Sequence, residues 1–250
     1  RALMDAQGVD TLWLRTVGSV AWITGGVDTA VNHADTIGVA SVVITPDSAT
    51  VHTNTIEGPR LSGQDQVEAR GFALRTTPWQ QPEPVDLGGR LGVDAPLDGA
   101  KDLSRALAAL RSRLLPVEVE RFRALGGACA GAMDAAIRRV RPGMSEWQIA
   151  AALAGETYAR EVTPIVVLIA TDERIHRYRH PLPTSKIMDC YAMLVLCGRQ
   201  AGLVCSVTRL AHFGALPQDI RAKMDACAEV DAAIIAASQP GASLDALFKT

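Results

Sequence analysis

The longest apolar runs in this 250-residue chain, such as Ile165 to Ala170 and Ala192 to Cys197, are only strand-sized. They fall far short of the ~20 residues that span a bilayer, which excludes a membrane helix. Arg1 to Gly8 lacks the charged-then-apolar order of a secretory signal, and a chain that starts at Arg1 implies trimming upstream. Charge of one sign is lacking too, because 25 basic and 27 acidic side chains leave a net charge of −2. No global field therefore draws in nucleic acid or anionic lipid, and no basic stripe with interleaved aromatics points to nucleic acid. Gly25-Gly26, Gly88-Gly89 and Gly126-Gly127 form neither a phosphate loop nor a dinucleotide fingerprint. The five cysteines are odd in number and none has the two-residue spacing of zinc or redox motifs. They are read as small buried hydrophobes in a reducing cytoplasm.

What is present is enough for a real core: 48% of the residues are hydrophobic. In the first hundred residues short β-type runs alternate with turn signals, at Thr11 to Arg15, Val20 to Thr24, Val39 to Thr45 and Thr50 to Thr53. Thr77-Pro78 to Gly88-Gly89 reads as loop and Leu91 to Asp94 as a further strand. Lys101 to Leu114 has helical spacing, with Leu103, Leu107, Leu110 and Leu114 on one face. A domain boundary is placed near Pro116, giving units 1–115 and 116–250. From Val117 to Val140 apolar residues recur every three or four positions, a long helix ended by Pro142-Gly143. Ser145 with Gln148 is a capping box, so a second helix should run from Glu146 to Arg160. Pro164 to Ala170, Tyr191 to Leu196 and Leu203 to Phe213 read as strands, and another long helix follows Pro217.

The unit of helix, Pro-Gly and Ser-capped helix occurs twice, at Pro142-Gly143-Met144-Ser145 and at Pro240-Gly241-Ala242-Ser243. The copies are about a hundred residues apart, a half-domain period rather than a short solenoid repeat. By this duplication the second set of strands is expected beyond Thr250.

This order of elements resembles the pita-bread family of creatinase, prolidase, aminopeptidase P and methionine aminopeptidase. The segment Val20-Ala21-Trp22-Ile23-Thr24-Gly25-Gly26, the helix start Val117-Glu118-Val119-Glu120-Arg121 and the junction Arg141-Pro142-Gly143-Met144-Ser145-Glu146 carry the resemblance. The sharpest match is the turn His180-Pro181-Leu182-Pro183-Thr184. The resemblance implies an α/β (α+β) chain, with an N-terminal creatinase-type domain before a pita-bread domain of two related halves, the second incomplete here. It also implies that His180 is the catalytic-type histidine, a role suited to imidazole because its ordinary pKa near ~6.5 lets it take and return a proton at neutral pH. A loop histidine satisfied by hydrogen bonds is the plain alternative. A homodimer is expected by the same analogy, with His33 of the N-terminal domain able to reach a partner's site.

The family's metalloenzymes carry Asp-x-Gly on the strand after that turn and a second Asp just before Thr-Arg. Here those strands read Leu194-Val195-Leu196-Cys197-Gly198 and Cys205-Ser206-Val207-Thr208-Arg209, and no Asp or Glu occurs from Cys190 to Gln218. Divalent ions need several anionic oxygens to replace hydration, so no metal and no other cofactor is expected. Cys197 and Cys205 offer two thiolates for a zinc but lack the usual partners.

His176, Arg177 and Arg179 crowd the approach to His180, and arginines hold carboxylates in bidentate fashion, so a small anionic substrate is expected. A solvated loop paired to Asp172 and Glu173 is the alternative. Cys205, Ser206 and Arg209 complete the candidate substrate-binding set, Arg209 more as a brace. Two functions follow: a metal-independent, creatinase-like hydrolase of a C–N bond, or a catalytically inactive pseudo-peptidase that binds peptides or proteins. An active metallopeptidase contradicts the missing aspartates.

Overall fold

A computed structural model describes residues 1–81 and 87–249. The N-terminal region runs α1 (Ala2–Gln7), β1 (Thr11–Thr16), α2 (Val17–Thr24), β2 (Ile37–Ile44), β3 (Ala49–Asn54), α3 (Gly58–Gly63), β4 (Ala73–Thr77), β5 (Leu91–Val93), β6 (Lys101–Asp102) and α4 (Ser104–Arg111). Its strands form one sheet in the order β4-β3-β2-β1-β5-β6, mixed in direction. Leu14, Val20, Val42, Val51 and Leu61 are buried in the core over this sheet.

Two expectations fail here for identifiable reasons. Val20 to Thr24 lies in a helix, α2, and not in a strand. The Thr16 hydroxyl accepts from Ser19 N (3.2 Å) as an N-cap, and Gly25 at φ 72° closes the helix in the left-handed conformation. A short apolar run cannot by itself distinguish a buried strand from a buried helix; the caps decide. The helix expected over 101–114 shrinks to Ser104–Arg111, because Lys101 and Asp102 pair with β5. Leu103 and Leu107 are buried while Leu110 and Leu114 are exposed, so only half of the leucine stripe meets the core. Strand β4 has no counterpart in the sequence reading. Of the loop expected from Thr77 to Gly89, positions 82–86 lie outside the described residues.

The second region comprises α5 (Pro116–Ile137), α6 (Glu146–Tyr158), β7 (Thr163–Thr171), α7 (Glu173–Arg177), β8 (Tyr191–Gln200), β9 (Leu203–His212), α8 (Gln218–Ala237) and α9 (Leu244–Phe248). The capping box at α6 forms as expected: Ser145 Oγ accepts from Gln148 N (3.2 Å), and Gln148 Oε1 accepts from Ser145 N (2.8 Å). Strands β7, β8 and β9 make an antiparallel sheet. Side chains alternate across it, so Ala192, Leu194, Leu196 and Gly198 are buried with α5 and α6, whereas Met193, Val195 and Cys197 are half-buried on the opposite, open face. Beyond β9 the described residues supply α8 and the Ser243-capped α9, and no further strand. No helix among the described residues is long and apolar enough to cross a membrane.

Gly198 shows how closely α5 seats on this sheet. A Cβ there would stand 2.5 Å from Cys129 Sγ and 2.6 Å from Val162 Cγ1. Both neighbours are core groups that cannot swing away, so Gly198→Ala should cost about 1–3 kcal/mol by overpacking. Urea denaturation should show a lower midpoint with an unchanged slope.

Candidate functional site

The turn after α7 is fixed by a single buried carboxylate. Glu146, at the first position of α6, is fully buried. One of its oxygens accepts from Thr171 N (2.9 Å) and Thr171 Oγ1 (3.0 Å) at the end of β7. The other accepts from Thr184 N (2.9 Å) and Thr184 Oγ1 (2.7 Å) and is paired with Arg174 of α7. Burial alone pushes Glu146 up, but the hydrogen bonds from Thr184, Arg174 and Thr171 outweigh it and hold the carboxyl below its ordinary range. Asp172 makes a second clamp. At φ 51° its carboxylate accepts from the backbone N–H groups of Asp189, Cys190 and Tyr191, each at 3.0 Å, which ties the end of β7 to the start of β8.

Between these clamps the segment of 180–184 runs beside the outer edge of β7, where Ile169 N donates to Pro181 O (3.2 Å). His180 opens this segment and is exposed, as are His176, Arg177 and Arg179. Asp172 and Glu173 do not pair with those arginines; both take Lys186, at 3.3 and 3.2 Å. Arg174 is spent on Glu146, whereas Arg177 and Arg179 form no salt bridge among the described residues.

The expected substrate-binding set is divided by the alternation of β9. Ser206 lies on the open face, its Oγ 3.1 Å from Cys197 Sγ of the paired strand. Cys205 is turned the other way, against the core that holds Cys129, so it is withdrawn from the set that includes Ser206. Burial pushes the Cys129 thiol up to about 11, with the neighbouring Cys205 adding to the shift. Arg209 shares the Cys205 side: it donates to Thr208 O (2.7 Å), and its charge reaches Asp134 on α5. His33 stands in an exposed loop, and no hydrogen bond or ring contact joins it to His180 among the described residues. The loop of 25–36 reaches β8 through a salt bridge in which Arg199 donates to Asp28 (3.5 Å).

The structure adds a cluster the sequence reading did not assemble. The rings of His176 and His212 flank Tyr191, with centroids 6.2 and 5.5 Å away. The Nδ1 of His212 is buried without a partner among the described residues, and the residue lines a cavity of about 240 Å³ with Tyr191, Leu210, Leu216 and Met224. Tyr191 gave no motif signal. Only the register Tyr191↔His212 brings the two together.

The sequence profile of metallopeptidase family M24 matches residues 120–250. The chain belongs to this family. Three solved structures share the fold at low sequence identity. The prolidase from Pyrococcus furiosus superposes with a TM-score of 0.80 at 16% identity, covering 98% of this chain and 74% of the other. The Xaa-Pro dipeptidase from Bacillus anthracis gives 0.68 at 16%, over 94% and 69%. A variant of Escherichia coli aminopeptidase P, in complex with substrate, gives 0.70 at 14%, over 95% and 66%. No curated protein matches the sequence.

Family M24 implies a metal, and the donor set can be tested against that. Two acids that hold one metal must share a face, so a buried core position such as Leu196 on the helix side cannot carry one of them, and the positions left are on the open face. The open face at the same level presents Val195 and Cys197 opposite Thr208 and Ser206. Among the described residues no three His, Cys, Asp or Glu side chains converge as a metal site. One thiol, two hydroxyls and one hydrocarbon side chain, with no anionic oxygen among them, do not fit a hard divalent ion.

Glu146→Leu should remove roughly 3–5 kcal/mol of stability, because it strands Arg174 and both threonines. The sign with pH follows from the lowered carboxyl. Its contribution is complete above the ordinary value of 4.5 and fades as pH falls through its lower folded value. Denaturation midpoints of the two proteins should therefore converge on acidification below that value.

Proposed function

We propose that this M24 chain is a metal-independent hydrolase of a C–N bond, amide or amidino, in a small amino-acid-like anion. His180 takes a proton from the attacking water and returns it to the leaving nitrogen. The observation that carries this reading is the Glu146 clamp. A fully buried carboxylate with five hydrogen-bonding partners fixes the turn that presents an exposed imidazole, which is the preorganisation a proton shuttle requires. Arg177 and Arg179, exposed beside it and without salt bridges among the described residues, suit the carboxylate of such a substrate.

A second reading is favoured by one observation. Met193, Val195 and Leu210 make much of the open face apolar at the level where the family's metalloenzymes carry acids. A peptide- or protein-binding module without turnover fits that face.

Screening N-acyl, guanidino and ureido acids in the presence of a chelator separates the readings. Turnover should persist with the chelator, and elemental analysis should find no stoichiometric divalent ion. His180→Ala should then lower kcat by roughly 10²–10⁴-fold with folding intact. A binding module would show no turnover, and His180→Ala would cost it only about 1–2 kcal/mol of affinity. Activity lost on chelation and restored by metal would overturn the metal-independent assignment. An active His180→Ala variant would overturn the role of His180.

A further inference from the structure

We propose that the cavity where α2, α4 and α5 meet the β8–β9 turn binds a small organic carboxylate with an apolar body. This cavity, about 390 Å³, lies at the opposite end of the hairpin from Tyr191 and His212, so it is separate from the site around His180. Its size is that of a small-molecule pocket, and Ala21, Trp22, Leu114 and Leu203 give it apolar walls.

Two half-buried guanidinium groups reach into it without a carboxylate of their own. Among the described residues Arg111 makes only a long hydrogen bond, Nη1 to Ser19 Oγ at 3.4 Å, and sits 6.0 Å from the centroid of the Trp22 ring. Arg121 makes no hydrogen bond or salt bridge among the described residues. The one acid in the lining, Glu118, is buried, accepts from Leu115 N (2.7 Å) and forms no salt bridge with either arginine among the described residues. Two positive charges partly withdrawn from water, with the local acid already engaged, favour an anion between them. The apolar walls select an anion with a hydrophobic body over a bare inorganic one.

The frame of the cavity is closely packed. A Cβ at Gly202 would come within 2.6 Å of Ala21 Cβ, and one at Gly26 within 2.9 Å of Ala201 Cβ, so the β8–β9 turn is seated directly on α2 and the residues that follow it. A ligand here contacts both regions of the chain at once. Its binding should therefore raise the melting temperature as well as release heat.

Isothermal titration with benzoate tests the proposal, with benzyl alcohol as the uncharged match and inorganic phosphate as the anion lacking an apolar body. Benzoate should bind one saturable site with a Kd of about 1 mM or tighter and raise Tm, and the other two probes should bind at least roughly tenfold more weakly. Arg121→Gln should weaken benzoate by roughly tenfold without lowering the ligand-free Tm, since Arg121 holds nothing in place. The double variant R111Q/R121Q should abolish binding. Ala108→Trp, which fills the cavity with both arginines kept, should block it as well. Absence of saturable benzoate binding, or binding unchanged in R111Q/R121Q or in Ala108→Trp, would overturn the proposal. Phosphate binding as tightly as benzoate would overturn the apolar part of the assignment. None of these readouts depends on turnover.

Discussion

The buried carboxylate of Glu146 is the constraint on which the second region depends. Carrying a charge out of water is costly unless every lone pair is used, and here five hydrogen-bonding groups from three different segments use them. The start of α6, the end of β7, α7 and the 180–184 turn are thereby held to one point. The helix start is itself secured by the Ser145 and Gln148 box, one residue before and two after. With α6 fixed, its apolar face presents Ile149 and Leu153 to the sheet. The local cap, the long-range clamp and the packing thus reinforce one another.

The chemistry available on the sheet is set by parity. In β9 a step of one residue moves a side chain from the α5 core to the open face, so Cys205 and Ser206, adjacent in sequence, have unrelated environments. The same rule separates Leu196 from Cys197 in β8. The open face of this M24 chain is consequently a mixture of thiol, hydroxyl and apolar groups, while the imidazoles of His176 and His212 flank Tyr191 at one end. The metal-free acid–base chemistry proposed above would rest on the histidine turn rather than on the strands.

The sequence by itself determined the elements whose signals are local. The helix from Pro116, the capped start of α6, the three strands between Thr163 and His212 and the Ser243 cap were all legible, because periodicity and capping act over a few residues. The histidine turn was legible too, as a motif. Only the tertiary structure decided the rest. It made Val20 to Thr24 helical through caps at Thr16 and Gly25, and it limited α4 to Ser104–Arg111 through pairing of Lys101 and Asp102 with β5. It turned Cys205 and Arg209 to the helix side and paired Arg174 with Glu146. It also brought His176, Tyr191 and His212 together. The physical reason is common to all of these: which face a strand residue occupies, and which charge meets which, depends on partners far away in the chain that no local pattern specifies.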